Sequence, residues 1–221
     1  MNSMMHEPVS VLLVDDHSVV REGYRRLLER SGLQVIGEAS DAQSAYAQFV
    51  EQRPQVVVMD IALPGASGIE ALRRIRARDP EARVLMFSMY EDPVFALRSL
   101  QAGARGYVTK ASAPDVLVEA VLTVARGLSF LAADIARELA LRSVASGEEA
   151  ESLLSPREFE VLRLLVRGVP LREIATQLGL TPKTVANHQS IIRQKLGADS
   201  AVKLLQAAAR LGITPEGAGE A

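Results

Sequence analysis

The chain contains no cysteine among its 221 residues. This absence excludes disulfide frameworks and cysteine-based zinc or redox sites. No apolar run approaches the roughly 18 residues that a membrane-spanning helix requires, and residues 1–10 lack the apolar core of a signal peptide. We therefore expect a cytoplasmic protein with no membrane partner.

Lysine is scarce through most of the chain. Lys110 is the only lysine among residues 1–182, whereas the same stretch contains 19 arginines. A lysine ammonium is a compact point charge, and an arginine guanidinium is a rigid planar fork. A single lysine in an arginine-rich stretch therefore indicates a position where arginine would not serve.

Charge is distributed unevenly along the chain, although the net charge is only −2. Residues 1–152 carry 16 Lys and Arg against 21 Asp and Glu, whereas residues 153–213 carry 9 against 4. A basic C-terminal part is typical of a nucleic-acid-binding segment, and drift in surface charge is the alternative. The polar residues 146–152 have no core pattern, which indicates a linker.

Short apolar runs alternate with helical patterns in the first part of the chain. The runs show little apolar–polar alternation, which is typical of parallel strands covered by helices on both faces. The sequence predicts an α/β fold with a doubly wound, five-stranded parallel sheet, followed by a small all-α domain. The predicted strands are 9–15, 34–39, 55–60, 83–88 and 106–109, and the predicted helices are 18–31, 41–52, 67–78, 93–103, 113–126 and 130–143.

Polar side chains stand at the carboxyl ends of these strands, namely Asp15, Asp16, Asp60, Ser88 and Lys110. Ligands of open parallel sheets bind at this edge, and carboxylate oxygens are the ligands that Mg²⁺ prefers. A bound cation also offsets the repulsion between the carboxylates. An ionised Asp60 would then attack a phosphoryl group whose oxygens Mg²⁺ and Lys110 neutralise. Taken singly, such residues are more often caps or solvated groups, so the hypothesis depends on their combination.

The C-terminal part shows only helical patterns and clear helix starts. Ser155 and Glu158 have capping-box spacing, with Pro156 at the first helical position. Thr181 and Ser200 are placed to begin two further helices in the same way.

Residues 171–177, Gly179 and the helix from 181 to about 196 have the pattern of a helix-turn-helix. In such motifs the second helix enters the major groove of DNA. A helical bundle used for dimerisation or partner docking is the alternative. The side chains that we expect to be buried are Ile174, Ala175, Leu178, Val185, Ile191, Ile192 and Leu196.

Residues 9–127 resemble the receiver domain of bacterial two-component response regulators. The matching segments are Val14–His17, Met59–Gly65, Ser88 and Gly103–Lys110. The resemblance implies a flavodoxin-like fold in which Asp60 accepts a phosphoryl group from a sensor histidine kinase. It implies Mg²⁺ as the cofactor, held by Asp15, Asp16, Asp60 and the backbone carbonyl of Ala62. It further implies that Lys110 stabilises the phosphoryl group and that Ser88 and Tyr107 form a coupled switch pair.

The C-terminal part is similar to the LuxR-type DNA-binding domain, which makes the whole a NarL/FixJ arrangement. The matching segments are Leu154–Glu158, Ile174–Ala175, Thr184–His188 and Lys195–Gly197. By this resemblance the residues facing the groove are Ala186, Asn187 and Ser190. We expect Asn187 to read a base, because an Asn amide pairs with adenine through two hydrogen bonds. The expected phosphate contacts are Lys183, Thr184, His188 and Arg193.

The last helix, residues 200–211, is the dimer contact that the resemblance implies. The dimer residues that we expect are Ser200, Lys203, Leu204 and Ala207. The predicted organisation is a receiver domain at 8–128, a linker helix and flexible linker at 129–152, a LuxR-type domain at 153–213 and a disordered tail at 214–221.

Together these observations predict a phosphorylation-controlled transcriptional regulator, not an enzyme. Its expected partners are a sensor histidine kinase, double-stranded promoter DNA, and a second copy of the chain on phosphorylation or DNA binding. RNA polymerase is a further candidate partner. One alternative is a phosphatase or phosphotransferase that uses Asp60 for turnover, although Ala62 stands where a second carboxylate would be needed. The other is a phosphorylation-independent regulator that acts through protein contacts or a bound small molecule.

Overall fold

The chain divides into two compact units, residues 1–140 and residues 141–221. The division falls inside the predicted linker region 129–152, and the predicted domain bounds stay predictions. The predicted tail 214–221 lies outside the described residues. The structure is a computed structural model that describes residues 7–91, 93–143, 154–211 and 213.

A parallel sheet forms the centre of the first unit. Its strands are β1 (Ser10–Val14), β2 (Gln34–Ala39), β3 (Val56–Met59), β4 (Val84–Ser88), β5 (Gly106–Thr109) and β6 (Phe130–Leu131). The strand order is β2-β1-β3-β4-β5-β6, and every neighbouring pair is parallel. The order reverses between β1 and β3, which is the topological switch point where ligands of such sheets bind.

The first five helices connect successive strands, and the sixth follows β6. They are α1 (Ser18–Arg30), α2 (Ala42–Gln52), α3 (Gly68–Arg78), α4 (Pro93–Gln101), α5 (Pro114–Ala125) and α6 (Ala133–Ser143). Leu28 of α1 and Val121 of α5 join Leu13, Val58 and Val108 of the strands in one core cluster. Burying each such aliphatic side chain contributes about 1.5–3 kcal/mol, so this core can hold strand ends in fixed positions.

The doubly wound α/β fold is confirmed, with one strand more than predicted. Phe130 and Leu131 pair with β5, and Phe130 N donates to the carbonyl of Arg105 at 2.9 Å. The sequence predicts a helix from residue 130, but α6 begins only at Ala133. A Cβ at Gly106 would lie 2.6 Å from the Phe130 carbonyl oxygen, so glycine permits the close approach of β6. A strand of two residues is too short to show a period of its own.

The second unit is helical, and its predicted helix starts are confirmed. Its helices are α7 (Pro156–Val166), α8 (Leu171–Gln177), α9 (Pro182–Lys195) and α10 (Ala201–Arg210). Ser155 Oγ accepts a hydrogen bond from Glu158 N, and Glu158 Oε2 accepts one from Ser155 N at 2.7 Å. Thr181 and Ser200 cap α9 and α10 through their side-chain oxygens. Such caps each contribute about 1 kcal/mol.

Contacts between helices fix the helix-turn-helix. Gly179 has φ +60° in the turn between α8 and α9, as its position predicts. Lys195 Nζ donates to both carboxylate oxygens of Glu158, at 2.7 and 2.9 Å, which ties α9 to α7. Burial raises the pKa of Glu158, but the hydrogen bonds from Lys195 and Ser155 outweigh it and hold this pKa below its usual value.

The buried face of α9 differs from the prediction at Ile191 and in part at Leu196, which is only partly buried. Val185 and Ile192 are fully buried, as expected, but Ile191 is 39% exposed. Residues 185 and 192 are seven apart and so lie on the same face of a helix, whereas Ile191 lies about 100° away from Ile192. Our expectation that Ile191 is buried was therefore wrong.

Candidate functional site

The predicted strand-end residues meet at the switch point of the sheet. Asp15 follows β1, Asp60 follows the neighbouring β3, and both side chains are almost completely buried. Lys110, which follows β5, places its Nζ 2.5 Å from Oδ2 of Asp15 and 2.5 Å from Oδ2 of Asp60. The scarce lysine thus bridges two carboxylates from different strands.

Backbone amides occupy the other oxygens of the two buried carboxylates. His17 N donates to Oδ1 of Asp15 at 2.8 Å, and Ala62 N donates to Oδ1 of Asp60 at 3.2 Å. Asp16 lies at the outside of the cluster, where its Oδ1 is 2.7 Å from Nδ1 of His17. Each buried carboxylate therefore has one oxygen on a backbone amide and one on the lysine.

The electrostatics of the cluster leave an excess of negative charge. Burial raises the pKa of Asp60, although the ammonium of Lys110 opposes this shift. Burial lowers the pKa of Lys110, but Asp60 and Asp15 outweigh it and hold the pKa above its usual value. One ammonium cannot neutralise Asp15, Asp16 and Asp60 together. A second cation would lower the free energy of the ionised cluster.

The donor set fits a divalent cation. Ligand atoms of Asp15, Asp16 and His17 lie within 4.8 Å of one another. Asp60 and the backbone of Ala62 begin the loop after β3, next to Asp15 across the sheet. Carboxylate and carbonyl oxygens are the ligands that Mg²⁺ prefers, so the predicted Mg²⁺ ligands are chemically suited to it.

Arg21 contributes to this site and was missed by the sequence reasoning. Its Nη1 donates to the carbonyl oxygen of Asp15 at 2.5 Å, and its Nε donates to Oε2 of Glu38 at 2.8 Å. Arg25 Nη1 holds the other oxygen of Glu38 at 2.9 Å. The arginine thus ties the backbone that carries Asp15 to α1 and to β2. The sequence position of Arg21 does not predict this contact, because arginines on exposed helices are common.

The two predicted switch residues contact the same stretch of backbone. Ser88 is fully buried, and its Oγ accepts a hydrogen bond from Tyr90 N at 3.3 Å. Tyr107 is also fully buried, and its hydroxyl donates to the carbonyl of Tyr90 at 2.6 Å. The ring of Tyr90 stacks on Phe95, with centroids 4.2 Å apart. Tyr90 therefore joins the two residues, a link that the sequence did not indicate.

The structure places the predicted DNA-contacting residues of α9 in two groups. Four of them are exposed, namely Lys183, Ala186, Asn187 and Ser190. Three are partly buried, namely Thr184, His188 and Arg193. Thr184 Oγ1 lies 2.8 Å from Oγ1 of Thr181 and so belongs to the helix cap. The DNA contacts stay predictions.

The predicted dimer residues of α10 also differ in exposure. Leu204 is buried within the chain, Ala207 is partly buried, and Ser200 caps the helix. Lys203 Nζ donates to Oδ2 of Asp199 at 2.5 Å. The large apolar side chains that the described part of α10 exposes are instead Val202, at 64%, and Leu205, at 44%. The dimer assignment stays a prediction.

Comparison with known proteins shows the family. A family profile for the response regulator receiver domain matches residues 11–122, and one for bacterial regulatory proteins of the luxR family matches residues 152–208. The chain is a response regulator. It belongs to those that join a receiver domain to a LuxR-type DNA-binding domain, a class that works with sensor kinases and binds promoter DNA.

Relatives match this response regulator over nearly its whole length. Response regulator UvrY of Escherichia coli strain K12 is 36% identical over 209 residues, which cover 93% of this chain and 95% of that protein. Transcriptional activator protein ExaE of Pseudomonas putida is 38% identical over 210 residues, which cover 93% and 98%.

Solved structures support the same assignment. RcsB from Salmonella enterica serovar Typhimurium, bound to promoter rprA in the presence of phosphomimetic BeF₃⁻, is 27% identical, with a TM-score of 0.61. The match covers 91% of this chain and 98% of that one. A LuxR-family response regulator from Aurantimonas sp. SI85-9A1 is 49% identical over 62% of this chain and 99% of that one, with a TM-score of 0.61. Among the described residues, no helix has the length and apolarity needed to cross a membrane.

Proposed function

We propose that this response regulator is controlled by phosphorylation of Asp60 and that its phosphorylated form binds promoter DNA as a dimer. The observation that carries the proposal is the buried contact of Lys110 Nζ with Asp15 and Asp60, at 2.5 Å each. A structural ion pair needs one carboxylate, whereas this ammonium stands between two at the edge of a parallel sheet. That arrangement suits a site that binds phosphoryl oxygens and a cation.

The chemistry follows from the positions of these groups. A carboxylate oxygen of Asp60 attacks the phosphorus of a kinase phosphohistidine, the P–N bond breaks, and the bond's electron pair stays on the leaving imidazole. Lys110 neutralises charge on the transferred phosphoryl oxygens, and Asp15 keeps the ammonium oriented. Mg²⁺, bound by Asp15, Asp16, Asp60 and the Ala62 carbonyl, would supply additional charge neutralisation. Residue 62 carries no carboxylate that could activate water, so we propose that the chain is not a turnover phosphatase.

The contacts of Tyr90 provide a route from the site to the surface. When Asp60 gains a phosphoryl group, we propose that Ser88 donates its hydroxyl hydrogen to a phosphoryl oxygen. The hydrogen bond from Tyr90 N to Ser88 Oγ would then change, and with it the position of the carbonyl that Tyr107 holds. Phosphorylation adds about −1.5 to −2 charge, which is enough to bias a two-state element of this kind.

The exposed face of α9 is the proposed reading surface. Asn187 lies on that face with Lys183 one turn earlier and Ser190 nearly one turn later. We propose that Asn187 reads a base and that Lys183 binds phosphate. A second copy of the chain and RNA polymerase are the other proposed partners, and we propose a cytoplasmic location.

We expect Asn187→Ala and Lys183→Ala to weaken DNA binding in different ways. The amide of Asn187 contacts one base pair, so its loss should cost about 1–3 kcal/mol at that position alone. Loss of the Lys183 ammonium should weaken binding to all duplexes similarly. It should also reduce the slope of the logarithm of the binding constant against the logarithm of the salt concentration by about one. Binding of both variants is measured on duplexes that the wild-type chain selects from a random library, with each base pair then varied.

Gln177→Ala is the matched control, because Gln177 is exposed on α8 and hydrogen-bonds only Glu173 in the described residues. If Asn187→Ala lowers the affinity for all the varied duplexes equally, the proposed base-reading role of Asn187 is wrong. If the wild-type chain selected no duplex at all, the proposed DNA-binding function would be wrong.

A further inference from the structure

We propose that a cavity at the amino ends of β3 and β4 binds a small carboxylic acid with an apolar ring. The cavity has a volume of about 430 Å³. Its lining comes from the C-terminal ends of α2 and α3 and from the segments that lead from them into β3 and β4. The inference does not depend on phosphoryl transfer, because Asp60 and Lys110 lie at the opposite, carboxyl ends of the strands.

Part of the cavity wall is apolar. Phe49 and Val50 of α2 line it together with Pro54 before β3 and Ala82 before β4. Val50 is 41% exposed, so a ligand would cover apolar surface that now meets water. An apolar cavity of about 150 Å³ already holds benzene, and ligand pockets commonly measure about 300–1,000 Å³. This cavity therefore has room for a ring and a short side chain.

The charged part of the wall favours an anion. The guanidinium groups of Arg53, Arg78 and Arg83 line the cavity, against the carboxylates of Asp79 and Glu81. Arginine presents a planar fork of donors that binds a carboxylate through two parallel hydrogen bonds. The excess of guanidinium groups therefore suits a ligand with one carboxylate.

The partners of these groups leave two arginines available. Arg83 Nη1 donates to the last carbonyl of α5 at 2.5 Å, and Glu81 Oε2 lies 3.7 Å from Nη2 of Arg105. Among the described residues, the side chains of Arg53 and Arg78 have no ion pair or hydrogen bond. These two guanidinium groups can bind a ligand without breaking a contact within the protein.

The backbone of Arg53 supports a binding role for this side chain. Arg53 ends α2 with φ +48° and ψ +57°, and no other non-glycine residue in the described part of the chain has a positive φ. Glycine is the usual residue at such a helix end, because a Cβ disfavours the left-handed conformation. Non-glycine residues in strained conformations are often found at ligand sites. An arginine at position 53 carries a cost that glycine would avoid, and a ligand contact accounts for it.

The test titrates the ¹⁵N-labelled full chain with phenylpropionate, which has one ring and one carboxylate, and follows the assigned amide signals. We expect saturable shifts centred on residues 49–55 and 78–83, with a Kd of about 1 mM or lower. Phenylpropanol lacks the carboxylate, and inorganic phosphate lacks the ring. Each should bind at these amides at least about fivefold more weakly.

Variants of the two available arginines test their role. Arg53→Gly removes the guanidinium and suits the left-handed backbone, so the melting temperature should stay or rise while the affinity for phenylpropionate falls at least about fivefold. Arg78→Gln should lower the affinity by a similar factor. Arg30→Gln is the matched control, because Arg30 is likewise exposed at a helix end of the same unit and does not line the cavity. It should bind phenylpropionate like wild type.

Three results would overturn the proposal. The first is no saturable shift up to about 10 mM phenylpropionate, ten times the expected Kd, or shifts centred on other residues. The second is equal affinity of wild type and Arg53→Gly for phenylpropionate. The third is binding of inorganic phosphate at these amides as tight as that of phenylpropionate, since the apolar wall would then have no role.

Discussion

Replacing Lys110 with methionine is expected to lower the rate of phosphoryl uptake from acetyl phosphate by about 100-fold or more, in the presence of Mg²⁺. The ammonium lies between Asp15 and Asp60, where charge on a transferred phosphoryl group would develop. Removing one such preorganised charge commonly costs a factor of 10² to 10³, hence the expected size of about 100-fold. Without the ammonium, the already raised pKa of Asp60 would rise further, so less of the nucleophile would be ionised. The rate is followed by intact mass.

The same change should also destabilise the receiver domain. Methionine leaves two buried carboxylates facing each other, and breaking a buried ion pair in this way costs about 3–5 kcal/mol. We expect a loss of this size in urea unfolding of the full chain in Mg²⁺-free buffer. Lys203→Met is the matched control, because Lys203 makes an exposed pair with Asp199 and should change neither rate nor stability.

Lys110→Arg separates the effect of the positive charge from that of the compact shape of the ammonium. The planar guanidinium is too wide to place one nitrogen 2.5 Å from both Asp15 and Asp60 in the space that one ammonium fills. We therefore expect arginine to restore less than a tenth of the wild-type rate. A wild-type rate of phosphoryl uptake for Lys110→Arg would show that a positive charge at position 110 is sufficient and that arginine can replace lysine there.

Phosphorylation of Asp60 is expected to raise the affinity of the full chain for its selected duplex by up to about 100-fold. If the DNA-binding form makes up about 1% of the unphosphorylated chain, its apparent affinity is reduced by that fraction. Driving the equilibrium fully to the binding form requires about 5.5 kcal/mol of differential stabilisation. The proposed source is the new charge at Asp60, transmitted through Ser88, Tyr90 and Tyr107.

Fluorescence anisotropy of a labelled duplex, with and without acetyl phosphate and Mg²⁺, measures this gain. Asp60→Asn should show no gain, because an amide cannot accept the phosphoryl group. Asp79→Asn is the control, because Asp79 is exposed after α3 and its carboxylate, among the described residues, holds only a local turn through Glu81 N. Equal affinity of wild type and Asp60→Asn under phosphorylating conditions would favour the phosphorylation-independent alternative.

The strand-end site was predictable because parallel strands bring their carboxyl ends to one edge. Short buried runs located the strands, and the residue after each run, such as Asp60 or Lys110, then had to lie at that edge. The same reasoning gave the helix starts, since Ser155 and Thr181 act on their own neighbours in sequence. Both the strand-end site and the helix starts could be predicted without knowledge of the tertiary packing.

The features that the sequence did not reveal depend on packing between distant segments. The contact of Arg21 with the carbonyl of Asp15 and with Glu38 joins α1 to β2, and no spacing rule predicts it. The hydrogen bond from Tyr107 to the carbonyl of Tyr90 likewise joins residues 17 positions apart. Ile191 was misplaced because it is apolar beside a buried Ile192, and only the helix period separates the two.

The most direct test of Asp60 as phosphoacceptor is the intact mass of the full chain after incubation with acetyl phosphate and Mg²⁺, for wild type and Asp60→Asn in parallel. We expect one added phosphoryl group on wild type, lost on treatment with hydroxylamine as expected of an acyl phosphate, and none on Asp60→Asn. An adduct of the same size on both proteins, or on neither when a sensor kinase domain replaces acetyl phosphate, would contradict the claim that Asp60 is the phosphoacceptor.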